Sequence, residues 1–193
     1  MSSRPLVRTS RPCRAGRGPW PLLLGLLWLL AGARATDGVD EYELKAAFLG
    51  KFVKYVSWPS ERLAEKQSPL VVTVFGRDPF GKKLDQALKG VKVEEHPIEV
   101  RRVEKLEELR AAHVLFVPQL EAGRLEEILA ATREASLLVV GESSGFAENG
   151  GAIGFYLEKE KLRFEVNLEA AKRQNLKVSS DLLKVARIVK DRK

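Results

Sequence analysis

Two short runs, His113–Val117 and Leu137–Val140, are apolar at every position after the opening histidine and show none of the alternation that marks a strand wetted on one face. Strands buried on both faces need helices on either side, and the neighbouring segments supply them. Leu70–Phe75 is a third β-rich run, closed by Gly76. Asp78-Pro79 reads as the N-cap and first-turn proline of a short helix carrying Phe80, Leu84 and Leu88. Ile98, Val100 and Val103 mark another strand. Glu104–Ala112 and Leu120–Arg133 are helical, the second with Leu125, Ile128 and Leu129 inward. This alternation predicts an α/β fold with a mainly parallel central sheet, flanked by helices on both faces.

The two ends of this pattern differ from its middle. From Glu41 the chain reads as a long amphipathic helix with Leu44, Ala47, Phe48, Phe52 and Tyr55 on one stripe, widened by Leu49, Val53 and Val56, and Lys45, Lys51 and Lys54 off it; Trp58-Pro59 ends it. At the other end, Ala152–Leu157 and Leu162–Val166 flank a short polar connection, which predicts an antiparallel edge hairpin. Asn167 is placed to cap a helix over Leu168–Gln174. Ser179-Ser180 is placed to cap another over Asp181–Lys190, with Leu182, Val185, Ala186 and Val189 on one face.

The charge balance excludes one class of function. The chain carries 33 Lys+Arg against 26 Asp+Glu, a formal +7, but Arg4, Arg8, Arg11, Arg14, Arg17 and Arg34 lie in the first 35 residues, which hold no acid. The remainder is almost neutral and its charges are interleaved, whereas phosphate recognition needs clustered, uncompensated cations. No nucleic-acid partner is expected. The basic start leads into an apolar run from Trp20 to Ala31 and then Ala33-Arg34-Ala35, the layout of a secretory signal with cleavage after Ala35. The run is shorter than the ~20 residues that cross a bilayer, so no membrane insertion is expected after cleavage. Cys13, the one cysteine, leaves with the signal. Residues 36–193 then form a single, disulfide-free domain stabilised by its core.

Gly141-Glu142-Ser143-Ser144-Gly145 is formally the G-x-S-x-G of a serine hydrolase. A triad there needs a histidine, and both histidines, His96 and His113, precede Ser143; Phe146–Gly151 also reads as a loop where the elbow needs a helix. No catalytic residue is therefore assigned, and a hydrolase using Ser143 is a remote alternative. Gly76–Gly81 lacks the glycine spacing of a dinucleotide loop, and two histidines without a cysteine make no zinc site, so no cofactor and no metal are expected. The loop holding Ser143, Ser144, Asn149, Gly150 and Gly151 is a candidate anion nest, which gives a small-molecule binding protein as the alternative function. Trp58 and Phe80, at the ends of elements, are candidate partner contacts.

Taken together, Lys45–Leu49 leading to Phe52, Val56-Ser57-Trp58-Pro59, Gly76–Gly81, His113–Phe116, Gly141-Glu142 with Gly145-Phe146 and Gly150–Gly154, and Arg163–Leu168 followed by Ala170-Ala171, Leu176, Ser179-Ser180, Leu182-Leu183 and Ala186-Arg187 resemble the YfiR-like periplasmic family. The resemblance implies an exported α/β protein that binds rather than catalyses. Its best-known relative is a periplasmic repressor that holds an inner-membrane diguanylate cyclase inactive through the enzyme's periplasmic domain and is relieved by an outer-membrane lipoprotein. Homodimers are also implied. Phe48, Asp78, Pro79, Arg163, Glu165 and Asn167 then read as motif residues that build the fold, Asp78 and Asn167 as caps and Glu165 as a partner of Arg163 or Arg187. That repressor relies on disulfides, and a chain without cysteine after residue 35 cannot be controlled in that way.

Overall fold

The computed structural model describes residues 40–192 other than Ala64 and Lys66. The expected signal segment, its cleavage at Ala35 and Cys13 lie outside the described residues. In chain order the elements are α1 (Glu41–Tyr55), β1 (Val56–Ser57), β2 (Leu70–Phe75), α2 (Lys82–Leu88), β3 (Lys92–Val93), β4 (His96–Val103), β5 (Val114–Val117), α3 (Leu125–Ala131), β6 (Leu138–Gly141), β7 (Ile153–Glu158), β8 (Lys161–Asn167), α4 (Leu168–Arg173), β9 (Lys177–Val178), α5 (Ser180–Leu183) and β10 (Arg187–Val189). The described residues form one compact unit.

Eight strands make one sheet in the order β10-β8-β7-β6-β5-β2-β4-β3. β4, β2, β5, β6 and β7 run parallel, and β7-β8 is the expected antiparallel hairpin, in register from Ile153 opposite Val166 to Glu158 opposite Lys161. Alternate residues of the central strands feed two separate cores. Leu70, Val72, Val74, Val114, Phe116, Leu138 and Val140 meet α1, α2 and α4 on one face. Phe75, Leu115, Val117 and Val139 meet Leu125 and Ile128 of α3, with Leu109 and Phe146, on the other. This is why the β5 and β6 sequences carry no polar alternation.

Four expectations are corrected. On α1 the expected Leu49, Phe52 and Val53 are buried, but Ala47 and Tyr55 are exposed and Lys45 and Ala46 are buried, so the stripe is rotated and Lys45 points in. Asp78 caps a turn and not a helix: its Oδ1 accepts from Phe80 N at 2.8 Å, and α2 starts only at Lys82, after Gly81. Glu104–Ala112 and the first part of Leu120–Arg133 wind as 3-10 turns, Leu106–Ala111 and Gln119–Arg124. The expected helix Asp181–Lys190 stops at Leu183, and Arg187–Val189 joins β8 as a parallel strand outside the hairpin. Of the expected apolar face, Leu182 enters the core and Ala186 packs against it, while Val185 is exposed.

Asn167 caps α4 as expected, accepting from Glu169 N and Ala170 N at 3.0 Å each. Glu165 is buried and pairs with Arg187, whose guanidinium lies 4.0 Å from the Tyr156 ring centroid; Arg163 reaches Glu158 at 3.9 Å. Phe48 joins Phe52, Phe155 and Phe164 in an aromatic cluster between α1 and the hairpin.

Candidate functional site

The order β4-β2-β5-β6-β7 places the first parallel strand, β2, between the second and the third. The chain leaves β2 toward β4 on one side and returns to β5 on the other, so the loops after β2 and β5 part and leave a crevice at the carboxyl ends of the strands. Gly76 turns the first loop at φ +68, where a Cβ would stand 2.2 Å from Glu121 Oε1. Pro118 and Gln119 turn the second.

Glu142, just past β6, is aimed into this crevice. Its carboxylate accepts from Lys45 Nζ at 2.5 Å, Tyr42 Oη at 3.3 Å and the Gln119 amide at 2.9 Å. Lys45 also contacts Glu41 Oε1 at 2.5 Å, one helical turn back. Both side chains of the Lys45–Glu142 pair are almost wholly buried, at 4% and 6% exposure. Burial works to lower the Lys45 pKa, and the hydrogen bonds and charges of Glu142 and Glu41 outweigh it, holding the ammonium above its ordinary value. Burial, then the Glu142 charge, raises the Tyr42 phenol. A cavity of about 400 Å³ lies on the hairpin side of Glu142, bounded by Phe155, Leu157, Leu162 and Ser144, and one of about 110 Å³ lies on the side of Arg77 and Asp78.

Sequence reasoning placed Lys45 and Glu142 in family-like runs without giving either a role, and did not single out Tyr42 or Gln119. The signal was available in part, since Ala46, Leu49 and Val53 define a helix face that carries Lys45 inward. Asp78 Oδ2 accepts from Arg102 Nε at 3.0 Å, and Arg102 also reaches Asp85 and the Gly81 carbonyl, tying the loop after β2 to α2. The hydrogen bonds of Asp85 and then Asp78 keep Arg102 above its ordinary pKa.

The expected contact residues do not assemble. Phe80 is a core residue, 2% exposed, edge-on to Tyr42 and Phe116 with centroids 5.4 and 4.7 Å away, and offers no surface to a partner. Ser144 borders the larger crevice cavity. Asn149 and Gly150 border a separate cavity of about 510 Å³ with Arg173 and Arg192, and Gly151 is packed under Phe146. Of the loop proposed as an anion nest, the amides of Phe146, Asn149, Gly150 and Gly151 donate to carbonyls of the loop itself, which leaves Gly150 and Gly151 no amide for an anion. Ser143, half-buried, follows the carboxyl end of β6, while His113 precedes β5 and His96 opens β4, at the opposite end of parallel strands of which the four-residue β5 and β6 alone are roughly 13 Å long. No proton relay joins them.

Trp58 lies at that opposite end. Its Nε1 donates to the His113 oxygen at 3.2 Å. One edge of the ring borders a groove of about 800 Å³ between α4 and the two-stranded ladder of β1 and β9. Among the described residues no group of three or more His, Cys, Asp and Glu side chains is placed to hold a metal, and no helix is long and apolar enough to cross a membrane.

Comparison with known proteins adds fold and family. A conserved domain protein from Vibrio cholerae O1 biovar eltor superposes with a TM-score of 0.56 at 12% identity, covering 78% of this chain and 60% of that one. The ABC domain in complex with L-Trp from Streptococcus pneumoniae superposes with a TM-score of 0.53 at 9% identity, covering 75% of this chain and 62% of that one. The chain thus spans under two thirds of either structure, and at these identities the likeness is one of fold. No curated protein matches it in sequence. The family model for YfiR/HmsC-like proteins (DUF4154) matches residues 42–187, from the first turn of α1 into β10. The chain belongs to the YfiR/HmsC-like family.

Proposed function

We propose that the protein is an exported, periplasmic regulatory protein that binds the extracytoplasmic sensor domain of an inner-membrane signalling protein, a diguanylate cyclase or a sensor kinase. The family match over 42–187 carries this reading. The separation of Ser143 from both histidines supports binding over acyl transfer, and the basic, apolar, Ala-Arg-Ala start supports export. The mechanism is linkage: the protein shifts its target between states only by as much as its affinity for the two states differs. Deleting the gene is expected to change cellular cyclic-di-GMP, and the tagged protein to recover a membrane sensor from envelope extract. An unchanged nucleotide level with no sensor recovered sinks the reading.

A small-molecule ligand is the second reading, favoured by the crevice beside Glu142, since open α/β sheets take ligands at the carboxyl ends of their strands. A thermal-shift screen of periplasmic metabolites in which none stabilises the protein removes it.

A further inference from the structure

The groove at the amino ends of the parallel strands has three properties that point to one kind of occupant. Its floor is apolar and rigid. Trp58 and Leu176 are 8% and 4% exposed, the indole is fixed by its hydrogen bond to the His113 carbonyl, and Leu168 and Val178 continue the surface. Its rim is basic: Lys172 on α4 and Lys177 on β9 are exposed, and no carboxylate is among the lining residues. Its wall is a two-residue ladder, Val56 with Val178 and Ser57 with Lys177, that has no third strand among the described residues. An unpaired strand edge beside an apolar pocket suits an extended chain that hydrogen-bonds through its backbone and seats alternate side chains. Lysines with no carboxylate among the groove's lining residues select its sign.

We infer that this groove docks an extended segment of the partner protein in which apolar residues are flanked by carboxylates. In placing a protein partner there, the inference rests on the regulatory reading given above. The contact surface is then distinct from the Glu142 crevice, which lies at the far end of the same strands.

Trp58 is the only tryptophan after residue 35, so its emission reports on the groove directly. Every described helix and strand lies between Glu41 and Val189 in one compact unit with its own cores, so a chain of residues 36–193 serves for the measurement. The probe is the blocked hexapeptide Asp-Glu-Leu-Leu-Glu-Asp, with Lys-Lys-Leu-Leu-Lys-Lys as its charge-reversed control. The expected result is a saturable change in Trp58 emission with the acidic peptide, with an affinity at least tenfold above that for the control. The order reverses in Lys172→Glu/Lys177→Glu, whose two exposed positions leave the melting temperature unchanged. No saturable change, or equal binding of both peptides, overturns the inference. In cells, the double variant is expected not to restore the cyclic-di-GMP level that the unmodified gene restores in a deletion strain; full restoration counts against the groove. If the unmodified gene itself has no effect, the regulatory reading fails while the peptide titration still decides the groove.

Discussion

The rings of Trp58 and His113 meet edge to face, 6.3 Å apart at their centroids, while Trp58 Nε1 donates to the His113 main-chain oxygen. The imidazole is fixed by the backbone on both sides. Nδ1 accepts from Val71 N at 3.0 Å, which assigns the proton to Nε2, 3.2 Å from the Arg62 oxygen. Charging the ring would set an Nδ1–H against the Val71 N–H.

This gives the first prediction, on acid stability. Burial pushes the His113 pKa below its ordinary value and the Arg62 and His96 charges add to this, against the opposing hydrogen bond to Arg62 O. Because the folded-state pKa is the lower one, the unfolded chain takes up a proton that the folded chain refuses. Stability is full above the ordinary imidazole range of about 6.5 and falls as the pH drops through it, by at most about 1.4 kcal/mol per unit. Urea denaturation between pH 7.5 and 5 is expected to show this slope, and His113→Asn to flatten it. Asp40, Asp85, Glu99 and Asp191, lowered chiefly by Lys83, Arg102, Arg101 and Arg173 respectively, act in a separate window that opens near pH 4.

Lys45→Met leaves Glu142 as a buried carboxylate without its cation, which costs about 3–5 kcal/mol. Glu142→Gln keeps the neutral hydrogen bonds and leaves Lys45 with Glu41, so its cost is smaller, about 1–2 kcal/mol. Lys45→Met/Glu142→Leu, which removes both charges, is expected to recover most of the loss. A double variant no more stable than Lys45→Met alone would mean that the pair is not the source of the effect; chemical denaturation of all three measures it.

Asn167 works through both ends of its amide. The oxygen caps α4, and Nδ2 donates to Ala147 O at 2.8 Å and Asp191 Oδ1 at 2.7 Å. Asn167→Ala loses the cap and both donations, about 2 kcal/mol or more. Asn167→Asp keeps the cap but faces Asp191 with a second carboxylate, so it is expected to be the less stable variant at pH 7 and to regain ground as the pH approaches 4. Equal stability of the two variants at pH 7 would show that Asp191 is not engaged in solution.

Ser143→Ala is expected to change stability by less than about 0.5 kcal/mol and to leave hydrolysis of p-nitrophenyl acetate at the level of the unmodified protein. A drop to the uncatalysed rate would restore the hydrolase reading.

The parallel sheet was legible because β5 and β6 are apolar on both faces, and the hairpin because Glu158–Lys161 is too polar to be anything but its turn. The cap at Asn167 was legible for the same local reason. The fate of residues 181–190 was not: Leu182, Val185, Ala186 and Val189 do share a helical face, but once Leu182 and Ala186 had met the core the edge of β8 offered backbone partners to Arg187–Val189. The Lys45–Glu142 pair joins residues 97 positions apart, and no local pattern announces a contact of that range. Trp58 was singled out and does border an open groove, whereas Phe80, singled out by the same reasoning, is enclosed because the turn at Asp78 folds it back onto Tyr42.

The placement of β2 at the sheet's centre has a consequence for how the chain is made. Val72 has Val100 on one side and Val114 on the other, so the first long strand of the sheet waits for segments synthesised well after it. Pairings of this range form late and hold folding back relative to local structure. In the exported protein proposed above, such a delay helps to keep the chain threadable, because β2 lacks its full pairing until β4 and β5, through Val117, have been translated.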